Sequence, residues 1–187
     1  MADELVDVVN EKDEIIRQEW KTVCHKKGLY HRVAAVLLFD DCGKIWLQER
    51  SKKKSIGAGL LDYSASGHVP SGEDSGTAAY RELEEELGVV GVKLKEIKSV
   101  NVSRRLSQKE ILQMGIDENI DENNGLKIRH IIKIYTGKYD GSFNVQKEEV
   151  EGVKAYSMEE IRELVNENPK RFTEGFKLGF KSYMGRR

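Results

Sequence analysis

Glu82, Glu85 and Glu86, in the segment RELEEEL, stand three, four and one positions apart. On a helix this spacing projects all three carboxylates from one side, while Glu84 points elsewhere. Like charges on one helical face repel by a few tenths of a kcal/mol per pair in water, and by more when partly buried. The arrangement is therefore unfavourable until a cation neutralises it. Carboxylate oxygens select hard divalent ions, Mg2+ or Mn2+, and Mg2+ usually takes one or two carboxylates together with substrate phosphates. The chemistry expected is metal-assisted reaction of a phosphate-bearing small molecule. Arg81 can reach Glu85 at i+4 or the separate Glu73 and orient a carboxylate. The glycine-containing residues 67–72 bring backbone to the start of the helix. An isolated Glu-rich helix has a blander reading, a solvated charged face.

The elements that must hold these residues follow from the rest of the chain. Asp74 or Ser75 is the expected N-cap of a helix running to Leu87, with Gly88 as a left-handed C-cap. Ala79, Leu83 and Leu87 recur every four residues and should pack on a sheet, while Gly76 is an internal weakness. Residues 33–39 (VAAVLLF) read as a strand covered on both faces, turning through residues 40–43 into a second strand at 44–48. A short strand is expected within 60–65, and longer ones at 92–102, 128–139 and 153–156, with Asp140-Gly141 as a hairpin turn. Residues 5–9 and 15–16 suggest an N-terminal hairpin, part of a 1–30 extension. Residues 103–126 form a long polar insertion loop with a short helix near 108–114. Ser157 opens a capping box for a helix ended by Pro169, and a last amphipathic piece at 172–180 completes the C-terminal helices of 157–187. Hairpins mixed with helices indicate an α+β sandwich.

The whole, residues 1–187, has the length of one domain. A net charge of -1 with 34% charged residues offers nothing that would capture a nucleic-acid polymer or an anionic membrane. Cys24 and Cys42 stand alone, which excludes a disulfide framework and a cysteine-based structural zinc. The acidic N-terminus is unlike a signal peptide and no apolar run is long enough to span a bilayer, so a cytoplasmic protein is expected.

Taken together, Gly67, Glu73, Arg81, Glu82, Leu83, Glu85, Glu86, Gly88 and Val89 fit without departure the pattern G-x5-E-x7-R-E-U-x-E-E-x-G-U, U being aliphatic. The chain thereby resembles the Nudix hydrolase family. The resemblance implies an α/β/α sandwich with a mixed β-sheet, and metal-dependent attack of water on a diphosphate linked to a further moiety. It implies Glu82, Glu85 and Glu86 as metal ligands, one of them serving in proton transfer, Arg81 and Glu73 as their orienters, and Gly67 as a loop hinge beside substrate. Which carboxylate is the general base stays open. Glu148 and Glu149, with Glu151, are candidates for an extra ligand or base, or else an ordinary solvated acidic loop. Relatives of this kind often dimerise, so a homodimer is a further expectation.

The similarity extends over roughly residues 3–180 and is greatest to the branch containing type I isopentenyl-diphosphate isomerases and their hydrolase-like relatives. It places His25, His31 and His68 where those isomerases hold a second metal by imidazole, with His130 in the place of a glutamate ligand. Each histidine alone reads as a hydrogen-bonded structural residue. Arg50 and Lys54 align with residues that bind diphosphate in those isomerases, and Arg104 and Arg105, which open the long loop, are expected to close on substrate as a lid. Two departures separate hydrolase from isomerase. Isomerases carry a cysteine before the Gly-His pair where this chain has Ser66, whose hydroxyl is far less acidic than a thiol. Isomerases also lose part of the glutamate set, which here is whole. The expected function is a Mg2+-dependent hydrolase of a diphosphate-linked small molecule, the alternatives being an isomerase-like enzyme or a non-catalytic binding protein.

Overall fold

A ten-residue strand, β3 (Tyr30–Phe39), organises the molecule. The computed structural model describes residues 3–114 and 126–185. His31 and the whole run 33–38 of β3 are buried, because helices cover both faces of the sheet around it. Val33, Ala35 and Leu37 point to one core, with Ile134, Phe176 and Phe180, while Ala34, Val36 and Leu38 point to the other, with Ala79, Leu83 and Leu87. The first core lies under α4 (Met158–Glu167) and α5 (Glu174–Met184), the second under α2 (Ser75–Leu87). This is a mixed α+β arrangement of the expected class.

Along its whole length β3 pairs in parallel with β8 (Lys127–Lys138), which in turn pairs antiparallel with β7 (Lys95–Arg105). On its other side β3 pairs at one end with β6 (Ala65–His68) and at the other with β4 (Ile45–Arg50). The β3–β4 contact covers only Leu38↔Trp46 and Phe39↔Ile45. Beyond it β4 leaves to pair with β5 (Leu61–Asp62) and β9 (Val150–Tyr156). The split leaves a cleft between β6, carrying α2, and β4. The expected central hairpin is thus brief. Asp140-Gly141 makes no hairpin either, since β9 pairs with β4 and not with β8.

At the N-terminus β1 (Leu5–Val9) and β2 (Ile15–Trp20) form the hairpin, tied to β3 by Arg32, which contacts both Asp7 and Asp13. A short helix that the sequence pattern did not suggest, α1 (Lys21–Lys27), follows at once and stops at Gly28, left-handed at φ 59°. Strand β7 runs through Arg105, so Arg104 lies on a strand and not at the mouth of a loop. Helix α3 (Gln108–Gln113) is the expected short helix, closed by a capping box from Ser107 and Glu110. The rest of the expected insertion loop, 115–125, lies outside the described residues.

Candidate functional site

Helix α2 presents the glutamates because its ends are fixed. Asp74 accepts hydrogen bonds from the N–H groups of Gly76 (2.9 Å) and Thr77 (3.0 Å), and Gly88 ends the helix at φ 66°. Gly76 belongs to that first turn, where a Cβ would lie 3.0 Å from the Asp74 carboxylate. Leu83 and Leu87 face the core, and Glu82 and Glu86 are buried where α2 meets β6. Glu85, with its side chain 55% exposed, remains at the rim. The glycine at position 67 is explained by close approach. A Cβ there would fall on the Glu82 carboxyl group, so any other residue would push that carboxylate from its place beside β6. Gly67 is a strand residue opposite Ala34 and does not act as the expected loop hinge.

Arg81 uses its full set of donors. Nε–H and Nη2–H bond to Glu73, Nη1–H to Glu82 (2.7 Å) and Glu85 (3.1 Å), and Nη2–H also to the His68 carbonyl (3.1 Å). Burial opposes the charge on Arg81, but the hydrogen bonds and charges of Glu73 and Glu82 outweigh it and raise its pKa. Three carboxylates and a strand backbone are thereby held at one guanidinium.

Glu86 lies deepest. Its Oε2 accepts from Gln48 Nε2 and from the Ser66 N–H, each at 3.0 Å. Burial, with the neighbouring Glu82 charge, pushes Glu86 up to about 7 against the opposing pull of Ser66, Arg50 and Lys54. Burial also raises Glu82, with Arg81 opposing. Lys54 stands in the fields of both and pairs with Glu149; burial and the Arg50 charge bring it down to about 8. Arg50 is engaged by Asp62 (3.2 Å) and the Ile56 carbonyl (3.2 Å), making it a brace of the cleft wall. Of the acidic candidates after residue 147, Glu149 joins the cleft, whereas Glu148 stays outside, exposed and 3.6 Å from the exposed Lys53. Gln48 was not anticipated. A glutamine that is fully buried in a strand, with Oε1 lacking any partner, is the signal that marks it.

Next to this cleft the structure gathers all four histidines. His31 stands opposite His130 in the β3–β8 pairing, His68 ends β6, and α1 delivers His25. The ring centroids lie 4.6–5.9 Å apart, and one ligand atom from each ring falls within 4.8 Å of the others. All four Nε2 atoms are buried without a partner. His31 Nδ1 lies 2.9 Å from the Leu29 carbonyl, which places the proton on Nδ1 and leaves Nε2 bare. Burial and mutual repulsion bring His25 down to about 3; burial brings His31 to about 4 and carries His68 and His130 well below the usual value. Four neutral imidazoles with orphaned Nε2 atoms fit a borderline divalent cation. Arg104 sits within electrostatic reach of His25 and His130 but is held by Glu110 (2.8 Å).

A mixed sheet between helices, with a glutamate helix docked at a close-packed glycine, defines the class of the protein. Residues 29–176 match the NUDIX domain, and the chain belongs to the Nudix family. It is 31% identical over 177 residues to an isopentenyl-diphosphate Delta-isomerase of Serratia proteamaculans, covering 93% of this chain and 88% of that one. It is 40% identical over 93 residues to the uncharacterised Nudix hydrolase YfcD of Escherichia coli, about half of either chain (50% and 52%). Among solved structures, DR0079 of Deinococcus radiodurans superposes with a TM-score of 0.67 at 23% identity, covering 88% of this chain and 90% of that one. These similarities place the chain in the Nudix branch that resembles the isomerases and contains Nudix hydrolases. No helix among the described residues is long and apolar enough to cross a membrane.

Proposed function

We propose that the protein is a Mg2+-dependent hydrolase, with Mn2+ as second choice, that cleaves the diphosphate linkage of a nucleotide or other diphosphate-linked small molecule. The observation that carries this reading is the complete carboxylate set on α2, with Glu82 and Glu85 held by Arg81, Glu86 held by Gln48 and the Ser66 N–H, and Lys54 in the fields of Glu82 and Glu86. Glu82, Glu85 and Glu86 would hold the cation, and a bound cation supplies neutralisation of phosphate charge and acidification of water. Arg81 orients Glu82 and Glu85. Gln48 and the Ser66 N–H fix Glu86, the carboxylate whose affinity for a proton lies nearest neutrality and which suits proton transfer. Lys54 meets the diphosphate, sharing its charge with Glu149. Arg50 acts through the cleft wall.

The four histidines support a second cation, held by His25, His31, His68 and His130. An all-nitrogen donor set favours Zn2+ or a neighbouring late first-row ion over Mg2+. Isomerisation is the second reading, favoured by the 31% identity that spans 93% of the chain. Ser66 argues against it, because its backbone serves Glu86 and its hydroxyl is a poor acid at carbon.

The test offers nucleotide, nucleotide-sugar and prenyl diphosphates with Mg2+ and measures phosphate, pyrophosphate and isomer products. Hydrolysis of one class, lost in Glu86→Gln, is expected. Isomer without phosphate release would transfer the assignment to the second reading, and undiminished hydrolysis by Glu86→Gln would defeat the assignment of the site.

A further inference from the structure

The three glutamates of α2 share a pattern at the level of single oxygens. Glu82 accepts from Arg81 Nη1 through Oε1 (2.7 Å), Glu85 accepts from the same nitrogen through Oε2 (3.1 Å), and Glu86 accepts through Oε2 alone. Among the described residues, no hydrogen-bond donor reaches the second oxygen of any of the three. A carboxylate oxygen has room for about two donors. Glu86 Oε2 holds two, Gln48 Nε2 and the Ser66 N–H, each at 3.0 Å. Oε2 is thus filled, and Oε1 is the atom left for a cation.

Gln48 is itself pinned. On β4 it stands between Asp62 of β5 and Val153 of β9, its backbone N–H donates to the Tyr63 carbonyl at 3.3 Å, and the whole residue is buried. The carboxylate decides which end of the amide faces it, since only the nitrogen can donate. Oε1 of the same amide is buried without a partner among the described residues. Gln48 lies outside the glycine and glutamate pattern that begins at Gly67, so its place beside Glu86 comes from the sheet and not from the spacing along α2.

We propose that Gln48 is a positioning residue for the cation: it restricts Glu86 to coordination through one oxygen and so biases the glutamate centre toward Mg2+ and against Ca2+. The two ions ask for different geometry. Ca2+ takes about six to eight oxygens and readily accepts a carboxylate by both of its atoms, whereas Mg2+ is smaller, octahedral and keeps several waters. Glu82 and Glu85 are each restrained at one oxygen by Arg81 of their own helix, while the side-chain restraint on Glu86 comes from a different element. Removing the Gln48 donor leaves Ser66 alone on Oε2, and both oxygens of Glu86 can then turn to a large cation. The unpartnered Gln48 Oε1 works in the same sense, as an acceptor for a water that Mg2+ retains. This role rests on the reading of Glu82, Glu85 and Glu86 as cation ligands.

Electron paramagnetic resonance of Mn2+ titrated into the full chain, with circular dichroism to confirm folding, tests it. Mn2+ bound by wild type and not by Glu86→Gln belongs to the glutamate centre; Mn2+ bound by both is assigned to other groups, the histidines included, and subtracted. Mg2+ and Ca2+ are then each used to displace the Mn2+ of the glutamate centre. Relative to wild type, the ratio of Ca2+ to Mg2+ needed for half displacement should fall at least about fivefold in Gln48→Met, which keeps the length but has no donor, and in Gln48→Leu. An unchanged ratio in a folded variant, a change toward Mg2+, or loss of the fold in both variants overturns the role of Gln48 while the cation site stands. Equal Mn2+ binding by wild type and Glu86→Gln overturns the cation site, and the role of Gln48 with it.

Discussion

The two clusters that meet at β6 solve opposite electrostatic problems. The carboxylate cluster is rich in charge, open at Glu85, and compensated by protein cations, Arg81 directly and Lys54 across the cleft. The histidine cluster is closed and uncharged, and its four Nε2 atoms have no partner at all. Without ions the first can be hydrated and can share protons, Glu86 near neutrality being the evidence. The second has neither recourse, because burial disfavours the proton and no hydrogen bond replaces it. Ion loss should therefore register mainly as lost turnover in one cluster and lost stability in the other.

The largest effect that could break this contrast is acid unfolding of the ion-free protein. The folded state keeps its histidines neutral, with His31 at about 4 and His25 at about 3, while the unfolded chain takes up protons from about pH 6.5 downward. Stability is thus full above about pH 6.5 and falls by about 1.4 kcal/mol per pH unit for each histidine as pH drops toward those values. Thermal melts of chelator-treated protein between pH 7 and 4 should show a steep decline; a flat profile would mean the histidines are not buried neutral. Glu86→Gln comes next, with turnover reduced by roughly 10²–10⁴-fold, the usual range for a proton-transfer group, and the melting temperature not lowered. A variant that loses its fold would make Glu86 a structural anchor.

Zinc should raise the melting temperature of the chelated protein through the histidines. At a hundredfold excess over Kd the gain is about 2.7 kcal/mol, which for a chain of this size corresponds to roughly 5–11 °C. Mg2+ at the same concentration should not reproduce it, and His130→Ala should abolish it. The smallest effect belongs to Glu110, which the Arg104 and Ser107 contacts lower to about 2 although burial opposes them. Its contribution is present above the ordinary glutamate range and is lost as pH falls through about 2. Glu110→Gln should loosen α3 in hydrogen exchange by at most about 1 kcal/mol and leave both clusters intact.

The sequence was most legible where structure is local. The α2 caps at Asp74 and Gly88, the capping boxes at Ser107 and Ser157, and the spacing of Glu82, Glu85 and Glu86 are all decided within a few residues. Helix α1 is not legible in the sequence because seven residues give little periodicity and its N-cap, Trp20, has no capping side-chain bond. The departure of β4 from β3, the pairing of β9 with β4, and the meeting of Gln48 with Glu86 depend on partners far along the chain. The meeting of the histidines is implied by the family resemblance alone; strand register brings His31, His130 and His68 together, and helix α1 adds His25.

One contact sets the relation between the clusters. Through Nη2, Arg81 grips the backbone of His68, whose ring belongs to the histidine group, while Nη1 grips the glutamates. Ligand occupancy on either side of this arginine is consequently a matter of reciprocity: any factor by which filling one site tightens or loosens the other is returned unchanged in the reverse direction. Titrating zinc at fixed magnesium, and magnesium at fixed zinc, should give the same coupling constant.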